Sequence, residues 1–387
     1  MDFQKAINDT PIGGKLTIPA DAVLDSSLTI QILKDISIEG NGCWHNLTTD
    51  GTELGRAGRT RSNIRIMAKN VSISNLNVRG ANKKGPVYNE ALEAQHGFEI
   101  VGGSNVTLTN CSAKDVNGDG LYIGMGPVDG KTGLGVPSTV VTVNTFSATN
   151  CARMGVTWVS GEDVYITQLK IDGTGRSAID IEPNATARVP GEDPNGKRFR
   201  IVRRGLFDGI DARNYNFNLV AAGGVGTVEH VTFRNVTCDE WRVWVGERSV
   251  PGVNVPLRGP FLFDNVRAET ASDGGSQDPK YLQGAQCMLF NMRNVTLHNV
   301  QTGMANGIKS VAKNSTADGR ISNMVRAVEN TVDTTVIASD ATYSTGIAHK
   351  DSLPVVVIRC TNRGVAVDNT PVMTKSVILP ELPQQAR

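Results

Sequence analysis

Asp180 and Glu182, in Ala178-Ile-Asp-Ile-Glu-Pro-Asn, are the residues of this chain whose types and spacing best suit chemistry. Two residues apart on a strand, their side chains share a face and stand roughly 6–7 Å apart at ~3.3 Å per residue. That is the lower edge of the ~6.5–9.5 Å separation at which one carboxyl protonates a glycosidic oxygen while the other activates water. The same pair offers hard oxygen ligands of the kind Ca2+ takes. It also reads as a solvated acidic pair at a strand end, with Glu182-Pro-Asn opening a loop. All three readings stand at this level.

A short phrase repeated along the chain supplies the elements that must position this pair. It runs Asn-Val-Ser-Ile-Ser-Asn at 70–75, Asn-Val-Thr-Leu-Thr-Asn at 105–110 and Thr-Val-Asn-Thr-Phe-Ser-Ala-Thr-Asn at 142–150. It returns as His-Val-Thr-Phe-Arg-Asn at 230–235, Pro-Phe-Leu-Phe-Asp-Asn at 260–265 and Asn-Val-Thr-Leu-His-Asn at 294–299. Apolar and polar residues alternate within each copy, the period of a strand with one buried face. Each copy ends in Asn, which tolerates left-handed backbone and turns a strand sharply. A strand-and-turn unit at such spacing buries its apolar face only by stacking on its neighbours, which makes a solenoid.

Counting from these phrases aligns a second set of strands: Gly97-Phe-Glu-Ile, Gly120-Leu-Tyr-Ile, Gly155-Val-Thr-Trp, Ala178-Ile-Asp-Ile and Arg242-Val-Trp-Val, with Gln286-Cys-Met-Leu a fainter sixth. Alternation turns Phe98, Leu121, Val156, Ile179 and Val243 inward and leaves Glu99, Tyr122, Thr157, Asp180 and Trp244 as one outward stripe. Glu99 falls three coils from Asp180, near 14 Å at ~4.8 Å per coil. That is too far to share a proton and suits a separate sugar subsite. Tyr122 and Trp244 would offer flat rings to sugar faces, with Glu99 and Thr157 as polar contacts.

The run Lys197-Arg-Phe-Arg-Ile-Val-Arg-Arg204 packs five basic residues into eight directly after this strand. Arg198, Arg200 and Arg203 could clamp an anionic glycan or supply a lyase's base. Equally, they could guard an edge strand with charge or pair with Glu192 and Asp193. Asp119, in Asn117-Gly-Asp-Gly, points inward by register and reads as a satisfied turn residue. His96 reads as structural.

The chain has 387 residues and a formal net charge of +1, so no global field draws nucleic acid or an anionic membrane. Its longest apolar run, Leu353 to Ile358, is too short to insert in a bilayer. The first thirty residues carry no basic start followed by an apolar core, so no secretory signal is expected. The six cysteines lack CxxC spacing, and the places of Cys111, Cys151 and Cys238 shortly after turn Asn residues suggest small buried side chains in a protein assembled under reducing conditions. The expected organisation is a cap over 1–14 with a short helix at 3–9, a solenoid over 15–309, and a capping or oligomerisation region over 310–387. Long loops are expected at 80–95, 124–138 and 183–215.

The order Lys15-Leu-Thr-Ile, Ser27-Leu-Thr-Ile and Asp35-Ile-Ser-Ile-Glu-Gly-Asn-Gly, followed by coils of the types above, resembles the pectate-lyase-like superfamily. The resemblance covers roughly residues 10–305 and implies an all-β fold, a single-stranded right-handed parallel β-helix. The superfamily holds polysaccharide lyases, glycoside hydrolases such as polygalacturonases, and phage tailspikes. The chain carries none of the polygalacturonase signatures intact, Arg320-Ile-Ser being the nearest scrap of one. No Arg-rich pectate-lyase motif is legible either, so the resemblance implies no resident cofactor beyond an optional Ca2+. Two expectations follow. In one, the chain is a phage tail protein, a trimer in the virion that is assembled in the host cytoplasm with other tail proteins and binds a cell-envelope glycan. In the other it is a polysaccharide-degrading enzyme, secreted or not, that uses Asp180 and Glu182.

Overall fold

The computed structural model describes residues 1–52, 61–128, 135–183, 201–223, 226–246, 259–271, 287–290, 293–302, 325–328, 332–337, 356–358, 361–362 and 365–366. It is a parallel β-helix, as the repeated phrase requires. One ladder stacks in parallel register from Gly14–Thr17 through Ser104–Lys114, Gly161–Thr174 and Thr227–Trp241 to Val356–Ile358. The other runs from Ile30–Ile32 through Phe98–Val101, Val156–Trp158 and Ile179–Ile181 to Val325–Val328.

The corner residues share one left-handed conformation, which suits Asn and which Thr145 adopts against its type. Asn75, Asn110, Thr145, Gln168, Asn235 and Asn265 all hold φ between 50° and 60°, and they share one column of the first ladder. Asn tolerates this left-handed backbone better than branched residues do. Its side chain then hydrogen-bonds its copy one coil away. Asn110 Nδ2 donates to Asn75 Oδ1 at 2.6 Å, and Asn265 Nδ2 to Asn235 Oδ1 at 2.7 Å. The turn residue therefore also staples consecutive coils.

Inside, Phe207, Phe233 and Phe263 stack at centroid separations of 4.9 and 5.1 Å, each contact adding ~0.5–1.5 kcal/mol beyond burial. The cap is an α-helix, Phe3–Asp9, with Asp2 Oδ1 accepting the Lys5 N–H and Phe3 and Ile7 buried against the first coils. Cys43, Cys111, Cys151 and Cys238 are free and buried, as the placement of the last three suggested.

Two expected loops are partly strand. Residues 201–215 form the first-ladder strand Ile201–Tyr215, and Val220–Ala222 adds a second-ladder strand between those of Asp180 and Trp244. The described ends of the 124–138 insertion pair antiparallel, Met125 with Pro137 and Val128 with Gly135, making a hairpin arm. The 80–95 segment holds only the single 3-10 turn Glu90–Leu92. It folds back as a strap over the corner at 117–119 and 152–175. A Cβ on Gly118 would stand 2.5 Å from the Glu93 carbonyl oxygen, and one on Gly175 2.8 Å from that of Pro86. Glycine at both places is what lets the strap lie so close.

Candidate active site

The second ladder places the expected stripe in register. Arg65 pairs with Glu99, Glu99 with Tyr122, Tyr122 with Thr157 and Thr157 with Asp180. Asp180 is followed by Ala221 and only then by Trp244, so two coils separate the acid from the indole. The stripe is not solvent-facing, however. Thr157 is fully buried, Asp180 is 6% exposed and Glu99 9%. At its Asp180 end it is covered by Arg153 from the turn, which also meets Glu93 of the strap.

Arg153 organises this cover. It sits in the turn before Val156–Trp158, one coil above Asp119, and its guanidinium reaches four carboxyl groups. Nη1 donates to Asp119 Oδ2 at 2.9 Å and Nη2 to Glu182 Oε2 at 3.3 Å. Nη2 lies 3.8 Å from Asp180 Oδ2, and Nε 3.8 Å from Glu93 Oε2. Glu93 belongs to the strap and also accepts from the Tyr88 hydroxyl at 2.6 Å. The Arg176 guanidinium lies over the Tyr88 ring at 4.8 Å.

One cation shared among several carboxyl groups divides their proton affinities. Asp119 is fully buried, which by itself would raise its pKa. The Arg153 guanidinium, His96 and Thr157 together outweigh burial and hold it below the ordinary carboxylate value. Its other oxygen accepts the Met154 N–H at 3.1 Å, so the ionised form is fully partnered. Asp180 goes the other way. Burial, then the neighbouring Glu182 carboxylate, push its pKa far above the usual range, and the more distant Arg153 only partly offsets them. At neutral pH the cluster thus holds a protonated carboxyl beside an ionised one. Glu182, its side chain 36% exposed, is the member that meets water.

The remaining expected residues fall as follows. The Glu99 carboxylate is held by Arg65 Nε at 2.7 Å and Ser62 Oγ at 2.5 Å. Tyr122 is half-buried, and one ring face is taken by His96, stacked at 4.4 Å and 15°. His96 Nδ1 accepts the Asp119 N–H at 3.1 Å, so its imidazole braces the site from below. Trp244 is half-buried. Arg203 is corrected in position: it lies on the first ladder and bonds Glu162 Oε1 at 2.7 Å, with Arg204 pairing Glu162 and Asp163 beside it. It therefore belongs to the strand Ile201–Tyr215 and not to a loop. Arg198 and Arg200 lie outside the described residues.

Calcium fits poorly at this cluster. Among the described residues no group of three or more His, Cys, Asp or Glu is arranged to hold a metal ion. A cation at the carboxylates would have to displace a guanidinium already within 2.9–3.8 Å of Asp119 and Asp180.

Arg153, Glu93 and Tyr88 are the residues that sequence reasoning missed. The register held the signal for the first. Counting back three from Val156 puts Arg153 level with Gly118, in the turn beside Asp119. For Glu93 and Tyr88, inside an irregular segment, no periodic signal exists.

No family model matches the chain, and no curated protein matches its sequence. Solved structures do resemble it. An endo-xylogalacturonan hydrolase from Aspergillus tubingensis superposes with a TM-score of 0.51 at 12% identity, covering 96% of this chain and 94% of that one. A Family 28 exopolygalacturonase from Yersinia enterocolitica gives 0.48 at 11%, over 92% and 74%. The catalytic domain of a GH87 alpha-1,3-glucanase gives 0.44 at 13%, over 90% and 59%. At such identities the first of these supports the parallel β-helix fold and nothing finer.

Proposed function

We propose that this chain acts on polysaccharide as a glycoside hydrolase, with Asp180 as general acid and Glu182 as general base. The observation that carries the reading is the geometry of one cluster: Asp180 is buried, Glu182 meets water, and Arg153 Nη2 lies 3.8 Å from the first carboxyl and 3.3 Å from the second, with burial raising the Asp180 pKa. Carboxyl groups driven apart by their surroundings mark acid and base roles. Asp180 donates its proton to the departing glycosidic oxygen. Glu182, the exposed partner roughly 6–7 Å along the strand, takes one from the attacking water, an arrangement that favours inversion. Asp119 and Arg153 set the charge around the acid without touching sugar. The likeness to a xylogalacturonan hydrolase agrees with a glycan as partner.

The test is an assay of the full chain on capsular, cell-wall and pectin-like glycans. New reducing ends without ultraviolet absorbance support hydrolysis, whereas an absorbing unsaturated product means a lyase and overturns the acid and base roles of the pair. Asp180→Asn and Glu182→Gln should each abolish turnover, and unchanged activity in either sinks the assignment.

A second reading keeps the phage tail role: a trimeric tail protein that binds, and cleaves or only holds, a host-envelope glycan. The four free, buried cysteines favour it, since unpaired thiols suit assembly in a reducing host cytoplasm. Sedimentation of the intact chain tests it, and a strict monomer that binds no glycan counts against it.

A further inference from the structure

We infer that the glycan this site accepts is an uncharged sugar polymer, in contrast to the uronic-acid chains cut by a polygalacturonase. The inference rests on the hydrolase reading and adds the substrate class to it.

Among the described residues charge at the site is unbalanced, and the cations are already committed. Glu93, Glu99, Asp119, Asp180 and Glu182 bring five carboxyl groups to the stripe and its cover. Among the described residues the arginines there are three, and each is already engaged. Arg65 holds Glu99 at 2.7 Å. Arg153 is shared among Asp119, Glu182, Asp180 and Glu93. Arg176 lies between the Tyr88 and Phe217 rings at 4.8 and 6.0 Å. Even with Asp180 protonated, four carboxylates face three guanidinium groups. A uronate entering the site would meet net negative charge and would have to strip a guanidinium from a carboxylate that is buried without it. Unpairing a buried carboxylate is costly, and like charges brought together at a binding surface discriminate against the wrong partner. A neutral sugar asks for none of this. It needs hydroxyl contacts and an apolar platform, and the stripe supplies half-buried Trp244 two coils past Asp180, about 10 Å away at ~4.8 Å per coil.

The run at 184–200, which contains Arg188, Lys197, Arg198 and Arg200 beside Glu192 and Asp193, lies outside the described residues, so the test must address it directly. Reducing-end release by the full chain is compared on neutral glucans and galactans and on polygalacturonate of similar length. Binding of each to the Asp180→Asn protein is followed by affinity electrophoresis. Neutral polymers should win by at least about tenfold in kcat/KM, the factor that ~1.4 kcal/mol represents. The gap should narrow as salt screens the repulsion.

Asp180-dependent cleavage of polygalacturonate as fast as, or faster than, the neutral polymers overturns the inference and leaves the hydrolase reading intact. If that cleavage disappears in Arg198→Ala/Arg200→Ala, the missing counter-charge is in that run and the inference fails for a known reason. No turnover of either class, with no binding by the Asp180→Asn protein, overturns the hydrolase reading and the inference together.

Discussion

Arg153 Nη1 lies 2.9 Å from Asp119 Oδ2, joining the turns of two consecutive coils through a pair in which the carboxylate is wholly buried. The pair is the hinge of the site's electrostatics. Arg153 helps hold Asp119 ionised, while burial and the Glu182 carboxylate raise the pKa of Asp180 against its weaker pull. Its removal should therefore be felt in stability and in proton affinity together.

Arg153→Met is expected to destabilise the protein by about 3–5 kcal/mol near pH 7, because Asp119 is left charged and unpartnered in the interior. The pH dependence gives the sign. Asp119 has a depressed folded-state pKa, so its contribution is present above the unfolded value of about 3.9 and is lost as pH falls through the folded one. The deficit of Arg153→Met should thus shrink toward pH 4, where Asp119 can take up a proton. Adding Asp119→Asn should recover much of the loss at pH 7. Urea unfolding of the single and double variants across pH 4–8 measures both effects, and additive losses would show that the two residues are not coupled.

Asp180 carries the opposite linkage. Its folded-state pKa is raised, so the native protein keeps a proton that the unfolded chain releases. Stability is then lost as pH climbs above about 3.9 and native Asp180 stays protonated at the expense of folding. Asp180→Asn keeps the shape and removes the charge, so it should be more stable than wild type at pH 7 by roughly 1–3 kcal/mol. The difference should close toward pH 4. A thermal-melt series over pH 4–8 decides this, and the same protein should be inactive. A variant that melts at or below the wild-type temperature at pH 7 would remove the protonated acid from the mechanism.

The fold was legible because the solenoid repeats. Six copies of one phrase carry both the alternation and the corner Asn, and the register of Glu99, Tyr122, Thr157 and Asp180 followed by counting. Two things escaped. The coil at 216–222 was lost because its strand, Val220-Ala-Ala, has small residues and lacks the two bulky inward residues flanking an outward one seen in Ile179-Asp-Ile and Val243-Trp-Val. The cover over the stripe was lost because alternation reports which way a side chain leaves its sheet and not what lies on top of it. Thr157 does share the outward column with Tyr122 and Asp180, yet it is fully buried. Asp119 shows the same limit. It is a satisfied turn residue as read, and its partner Arg153 makes it part of the chemistry as well.

His45 gives a prediction at the other end of the molecule. It is fully buried under the N-terminal cap, 6.0 Å from the Phe3 ring, and burial lowers its pKa to about 4. In this case the unfolded chain, with a pKa near 6.5, takes up a proton that the folded one refuses. Stability is therefore lost as pH falls between about 6.5 and 4, by about 3 kcal/mol in total. His45→Gln should flatten this slope while leaving stability at pH 7.5 within about 1–2 kcal/mol of wild type. Denaturant midpoints from pH 7.5 to 4 test it. An unchanged slope in the variant would place the acid sensitivity elsewhere.

Gly205 and Trp158 offer a purely steric test of the core. A Cβ built on Gly205 would stand 2.4 Å from Cζ3 and 3.0 Å from Cη2 of the Trp158 indole, which is itself fully buried. The absent methyl is the space the ring occupies. Gly205 is not among the residues with positive φ, in contrast to Gly209 four residues on at +71°. Alanine at 205 is therefore free of backbone strain, and its cost is collision alone. Gly205→Ala should destabilise by about 1–3 kcal/mol, the usual range for forcing extra volume into a packed interior. Trp158→Phe should also destabilise, by leaving a void. The two together should cost less than their sum, because the smaller ring vacates what the methyl needs. Val156–Trp158 pairs with Ile179–Ile181, so the overpacked single variant should also lose activity through displacement of Asp180, and the double variant should regain part of it. Equilibrium unfolding and reducing-end assays on the three proteins measure both. Strictly additive losses would mean that the ring and the glycine do not share this space.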